Sequence, residues 1–424
     1  MDGLAAGAVP RAADTRRRLR ARPPRRRRAH ARRGHAVTVV VVGAGPVGVL
    51  LAAELSRHGT PVRLLERRTT LRSGSRAVGV HATALAAMEA SGVTERLLAE
   101  ARLVREGEAR SRGRSLGVVR FDRLAMRHPY VATLPQSATE AALADAARAW
   151  GAPEAETGSE VRAIRVDGAH PRVELVGGAT LSATAVVVAG GGRARSLHPT
   201  RARVRAYPDR YLMTDAADAG PDGDRAVVHL DPSGVLESFP LPGGRRRYVA
   251  WMPTLTGDGP AESRDPAADG ARLREAVARR TGSAAAADAV TVASAFGVRR
   301  AVVATPRVGS VLAIGDAAHE VSPIGGQGMN LGLIDAVTLA PLLSRWVREG
   351  EPPAGLDRWV RERRRAALRS ARIAALNTRL GRPFTLAVRP TAVRAALALP
   401  TERLLTHAYA MGFDPAASGF RTAR

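Results

Sequence analysis

The sequence predicts an α/β protein: a Rossmann-like nucleotide-binding domain, interleaved with a smaller β-sheet domain and followed by a mainly helical C-terminal segment. Three observations carry that prediction. An apolar, β-branched run over residues 37–42 leads into Gly43-Ala44-Gly45-Pro46-Val47-Gly48 and then into a helical pattern over 49–58. A second strand pattern, 61–65, delivers Glu66 eighteen residues after Gly48. Far downstream another apolar run ends at Gly315-Asp316; a glycine-rich stretch, Pro323-Ile324-Gly325-Gly326-Gln327-Gly328, follows, and an amphipathic helix is predicted over 327–343.

The first run is G-x-G-x-x-G between a strand and a helix. In that context the glycines allow a tight turn and close approach to a pyrophosphate, and the acidic residue closing the second strand can bind ribose hydroxyls. In the second run, glycines again let the backbone approach a bulky ligand. The positive end of the following helix favours a developing anion, and Asp316 can accept hydrogen bonds from sugar-like hydroxyls. A reduced flavin is such a ligand.

The remaining elements follow in order. Residues 37–103 read as the opening βαβ unit, ending in helices near 84–89 and 94–102, and 104–130 as short strands and charged turns reaching toward the second domain. Residues 131–198 return to the first domain with a helix over 138–150 and strands near 161–166, 172–176 and 185–189. Residues 199–295 carry the second domain, with alternating strands at 226–230, 235–240 and 246–251, a surface loop over 258–269 and a helix over 272–280. Residues 296–350 complete the first domain, and 351–424 form the helical segment. A chain of 424 residues exceeds what one simple core usually holds, which suits two domains.

With these motifs in place the chain resembles the FAD-dependent aromatic-ring monooxygenases, the group containing para-hydroxybenzoate hydroxylase, phenol hydroxylase and the polyketide hydroxylases. Ser75-Arg76-Ala77-Val78-Gly79-Val80-His81-Ala82 is similar to that family's arginine-bearing segment, and Leu134-Pro135-Gln136-Ser137-Ala138-Thr139-Glu140 to its flavin-contacting glutamine at a helix start. The resemblance implies an FAD-binding first domain and a substrate-binding second one. It places Gly43, Gly45, Gly48 and Glu66 at the ADP half of FAD, and Gly315 and Asp316 at the ribityl chain or pyrophosphate. Arg76 and Gln136 fall near the flavin, with Pro323, Gly325, Gly326, Gln327, Gly328 and Asn330 at the isoalloxazine. It further implies that NAD(P)H reduces the flavin, that O2 adds to give a C4a-hydroperoxide, and that oxygen passes to a phenolic, quinol or polycyclic ring; the partners are then a small aromatic or quinone-like substrate and O2. No catalytic acid or base is assignable; His229, in an alternating strand, could face the pocket, but a strand histidine facing solvent or a satisfied partner is the favoured reading.

One departure bears on this. Where the family carries Gly-Ala-Asp-Gly-x-x-Ser, this chain has Gly190-Gly191-Gly192-Arg193-Ala194-Arg195-Ser196. The aspartate position is Gly192, so weak use of NAD(P)H is expected, with Arg193 or Arg195 meeting a phosphate as one alternative. A reductase or dehydrogenase without oxygen insertion, or a non-catalytic FAD-binding protein, stays open. A flavin halogenase is disfavoured, because its essential lysine cannot exist in a chain whose 65 basic residues are all arginine.

That arginine-only usage makes the net charge of +26 a compositional trait rather than a functional one. Residues 1–36 hold twelve arginines against Asp2 and Asp14, hence +10, with no apolar periodicity, and are expected to be disordered. An upstream start codon, a basic arm for nucleic acid or membrane, and a targeting segment are its open readings; outside it no nucleic-acid contact is expected. Residues 36–53 are apolar enough to invite comparison with a membrane span, yet the glycines and Pro46 fall at dinucleotide-loop spacing, so no integral span is expected, and the location is expected to be cytoplasmic. The absence of cysteine excludes disulfides, thiolate metal sites and a cysteinyl-flavin bond, and the scattered histidines predict no metal site.

Overall fold

The computed structural model describes residues 38–70, 78–166, 168, 170–253, 265–384, 388–398, 406–411 and 414. The chain divides into two units, Met1–His35 and Ala36–Arg424, and every described residue belongs to the second. The arginine-rich tail and the segment containing Arg76 lie outside the described residues, as does most of the loop expected at 258–269.

The valine-rich runs become the centre of a five-stranded sheet ordered Arg307–Val308, Val311–Ala313, Ala185–Val188, Val39–Val42, Val62–Leu65. The last four are mutually parallel and the first is an antiparallel edge. Val39–Val42 and Ala185–Val188 are buried at every residue, because both sheet faces are covered. On one face Val39, Val41 and Val187 pack against Leu50, Leu51 and Leu55 of the Pro46–Arg57 helix and Leu331 and Leu339 of the Gln327–Glu349 helix. On the other, Val40, Val42, Val186 and Val188 meet Val161 and Val173 of a small antiparallel sheet. Buried faces on both sides explain continuous β-branched runs where a half-exposed strand would alternate.

A second, eight-stranded sheet gathers Glu106–Ser111, Arg114–Arg120, Arg205–Ala217, Ala226–Asp231, Gly234–Leu241, Arg245–Met252, Ser294–Val302 and His319–Glu320. Its one face carries Leu212, Leu236, Tyr248 and Ala250 against Leu273 and Val277 of the Pro266–Thr281 helix. The opposite face carries Tyr207, Tyr211, Met213, Val235, Val249 and Phe296, in one cluster with Ile324 from the glycine-rich stretch. Tyr211 and Phe296 stack with ring centroids 5.6 Å apart.

Several elements differ from the sequence expectation. The first helix starts at Pro46, where a proline's missing N–H costs nothing. The helix expected over 94–102 ends at Glu100, and Arg102–Val104 pairs as a strand with Val131–Thr133. Arg205–Ala217 is a 13-residue strand that alternation does not reveal, because Pro208 sits where its register shifts, between Ala206 and Arg210. The second sheet continues past residue 295 through Ser294–Val302. The C-terminal segment is helical as expected, with helices at Gly355–Leu380 and Val388–Leu397.

Candidate functional site

Each glycine of the first motif has its own steric reason. Gly43 has φ +109°, and a Cβ there would stand 2.3 Å from the Gly190 Cα; a Cβ on Gly48 would stand 1.9 Å from the Gly43 carbonyl oxygen. These two let backbone segments touch. Gly45 differs: a Cβ there meets nothing within 4 Å, so its bareness faces open space rather than protein. Glu66, at the end of the second strand, is buried and ties the turn down. Its Oε2 accepts the Ala44 N–H at 2.9 Å, while Oε1 accepts the Arg68 N–H at 3.0 Å and Arg68 Nε at 2.8 Å. Burial pushes the Glu66 carboxyl up, but the hydrogen bonds from Arg68 and Ala44 outweigh it and hold it below its ordinary value. Arg68 is a partner that motif reading missed.

The two motifs interlock around one side chain. A Cβ on Gly315, at φ +57°, would lie 3.2 Å from Val47 Cγ2, and one on Gly332 only 2.6 Å from the same atom. Gly-Asp turn, dinucleotide turn and long helix are thereby brought to one spot. The Asp316 side chain is exposed, with Oδ1 3.8 Å from where a Gly328 Cβ would project, beside the first turn of the Gln327–Glu349 helix. That helix begins at Gly326, φ +66°, with no side-chain cap, so its first-turn N–H groups face outward unclaimed by a capping side chain.

Asn330 serves the protein itself. It is fully buried; Oδ1 accepts the His81 N–H at 2.9 Å, and Nδ2 donates to the Gly79 and Gly326 carbonyls, both at 2.9 Å. Both amide hydrogens are thus committed, and its side chain positions the loop. Gln327 is likewise buried and donates through Nε2 to the Ala408 carbonyl at 3.3 Å. Gln136 opens the Gln136–Ala149 helix, which packs on the Pro46–Arg57 helix, and donates to Glu140 at 2.8 Å. His81 stands 3.2 Å from where a Gly326 Cβ would be, and burial pushes it down to about 4, leaving it neutral.

Glu320 Oε2 lies 2.9 Å from where a Gly192 Cβ would project, held by Arg195 at 2.8 Å, while Oε1 accepts from Arg299 at 3.0 Å. A carboxylate therefore does border the turn, supplied from another strand. Arg195 donates to Glu320 and to the Asp316 and Ala317 carbonyls, which ties the Gly190–Ser196 turn to the Gly-Asp turn. An aspartate at position 192 would set two carboxylates against each other. His229 is on the sheet face covered by the Pro266–Thr281 helix, opposite Leu236 and 3.8 Å from Asp222, rather than on the aromatic face.

Beneath the Gly-Asp turn lies a network that sequence reading missed. Asp335 Oδ2 pairs with His319 Nε2 at 2.5 Å and accepts the Gly315 N–H at 3.1 Å, while Oδ1 accepts Arg363 Nε at 2.6 Å. Arg363 also binds Asp414 through both oxygens, at 2.6 and 2.7 Å, and the Leu331 carbonyl at 3.2 Å. All four side chains are buried.

Residues 36–374 match the profile of a family described as an FAD binding domain. The chain belongs to this FAD-binding family. It is 33% identical over 336 residues to 6-methylpretetramide 4-monooxygenase of Streptomyces rimosus, covering 77% of this chain and 58% of that protein. It is 31% identical over 332 residues to rifampicin monooxygenase of Streptomyces venezuelae, covering 77% and 67%. The chain thus spans about three-fifths to two-thirds of these relatives. The anhydrotetracycline hydroxylase from Streptomyces rimosus superposes with a TM-score of 0.71 at 28% identity, over 89% of this chain and 76% of that one. The geometry suits FAD: open space over Gly45, an uncapped helix N-terminus and the exposed Asp316 carboxylate beside it.

Proposed function

We propose that this FAD-binding protein is a monooxygenase that inserts one atom of O2 into a phenolic, quinol or polycyclic aromatic substrate, with NAD(P)H as reductant, in the cytoplasm. The observation that carries this reading is the aromatic face of the second sheet, Tyr207, Tyr211, Met213 and Phe296, which shares a cluster with Ile324 of the loop that opens the Gln327–Glu349 helix. An apolar wall against the flavin loop is what an aromatic ring needs and what excludes water from an oxygenating site. Bound FAD supplies the redox and oxygen-activating chemistry. Around it, Gly43, Gly45, Gly48 and Glu66 hold the ADP half, and Gly315 and Asp316 the ribityl chain or pyrophosphate. Arg76 and Gln136 lie near the flavin, and Pro323, Gly325, Gly326, Gln327 and Gly328 beside the isoalloxazine, where the Gln327 and Gly328 N–H groups of the helix start meet its charged edge, with Asn330 fixing that backbone.

In domain terms, the Rossmann-like part comprises 37–103, 131–198 and 296–350 less the 296–302 stretch, and interleaves with a substrate part at 104–130 and 199–295 that the Ser294–Val302 strand extends; 351–424 is the helical segment. The relatives named for 6-methylpretetramide and rifampicin support a substrate of that aromatic kind.

Two results are expected. With labelled O2 and NAD(P)H, one labelled oxygen atom enters the ring of a phenol, quinol or polycyclic substrate; NAD(P)H oxidation with no label in any product of such a panel favours the reductase reading. Asp316→Ala weakens FAD binding by about 1.5–3 kcal/mol, roughly 10- to 100-fold in Kd, because a charge-assisted acceptor is removed. Titration of the FAD-free protein checks this, and unchanged affinity rules out the assigned contact.

A further inference from the structure

A carboxyl group stands behind the glycine-rich loop with no cation paired to it among the described residues. Glu237, on the Gly234–Leu241 strand, is buried, and among the described residues no arginine or histidine pairs with it. Its carboxyl faces the backbone N–H of Gly325. The groups around it come from four elements. Cross-strand neighbours Val228 and Val249 are apolar. From the Arg205–Ala217 strand comes Tyr211, whose buried hydroxyl finds no hydrogen-bond partner among the described residues. Asp209 of that strand is neutralised by Arg382 at 2.8 Å. From the C-terminal segment comes Tyr409, whose hydroxyl donates to Asn377 Oδ1 at 2.9 Å, and Asn377 Nδ2 is 2.6 Å from where a Gly325 Cβ would be. On the other side of the loop His81 borders Gly326.

We infer that Glu237 is a positioning acid of the flavin site: as a neutral carboxylic acid it holds the Gly325 peptide at the start of the Gln327–Glu349 helix, and its protonation is coupled to the charge the flavin gains there on reduction. A charge on a buried, unpaired carboxyl is costly, so burial pushes Glu237 up to about 8 despite the opposing hydrogen bond from Gly325. An ionised Glu237 would place a second negative charge behind the helix end that receives the anionic reduced flavin. Reduction should then draw a proton onto it. This inference rests on the proposed FAD site; its test separates the two.

The test compares the wild-type protein with Glu237→Gln, which keeps an acceptor for Gly325 and removes the titration. In the FAD-loaded proteins, the wild-type flavin midpoint potential should fall more steeply with pH above about 8, and the variant should lack that steepening. In the FAD-free proteins, a carboxyl raised by folding adds stability that is full below its unfolded value of 4.5 and is lost as pH rises through about 8; the wild type should show that loss and the variant should not. Identical potential profiles in the loaded pair overturn the coupling. A protein that takes no FAD, yet loses the pH-dependent stability in the variant, overturns the flavin reading and the coupling with it while leaving the neutral acid standing. Should the variant fail to fold, wild-type infrared spectra decide: a neutral-carboxyl band that vanishes as pH passes about 8 is expected, and its absence overturns the inference.

Discussion

Arg363→Ala should destabilise the protein by about 3–5 kcal/mol, the usual effect of stripping one partner from a buried ion network. Arg363 is the shared cation between Asp335 and Asp414, so its loss strips one buried positive charge from both carboxylates at once. Arg363→Met, which fills similar volume but supplies no charge, should recover little of that loss. Denaturant titration of both variants measures the effect, and a change under about 1 kcal/mol contradicts the assignment. The same network sets a pH dependence. Burial pushes the Asp335 carboxyl up, but the charges and hydrogen bonds of His319 and Arg363 win and hold it down at about 2, so its stabilisation is complete above 3.8 and disappears as pH falls through about 2. His319 moves the opposite way: burial lowers it, the Asp335 charge and hydrogen bond more than restore it, and its contribution is full below 6.5 and lost as pH rises past its raised value.

That network also shows where sequence reading stops. Motif spacing locates a strand, turn and helix because glycine and β-branched residues report local backbone geometry directly. It located Gly43, Gly48 and Gly315 for that reason. Asp335 and Arg363, on separate helices, meet Asp414 from the end of the chain, and no local pattern marks such a meeting. One signal was available: Arg363 falls among Trp359, Ala366, Ala367, Ser370 and Ala374, the buried positions of the Gly355–Leu380 helix, and a charged residue on an apolar stripe asks for a buried partner. Glu320 escaped for a similar reason, since it fills the space beside Gly192 from a two-residue strand far along the chain. The strand at Arg205–Ala217 was hidden by its own irregularity, a proline at a register shift that erases alternation.

Gly45→Val and Gly48→Ala should fail in different ways, which makes the pair a sharp test of the nucleotide turn. At Gly48 even one methyl group would stand 1.9 Å from the Gly43 carbonyl oxygen, so helix and turn must separate. Overpacking of that kind costs about 1–3 kcal/mol, and Gly48→Ala is expected to lose thermal stability whether or not FAD is present. At Gly45 a Cβ touches no protein atom within 4 Å, so Gly45→Val should fold with nearly wild-type stability in the FAD-free state. In the proposed FAD site the added side chain would occupy the space a pyrophosphate needs for close backbone approach. A similar 1–3 kcal/mol penalty then falls on binding, about 5- to 100-fold in Kd. Thermal unfolding with and without FAD separates the two: a large stability loss in FAD-free Gly45→Val, or wild-type FAD affinity in it, would show that the open side of this turn is not where the cofactor lies.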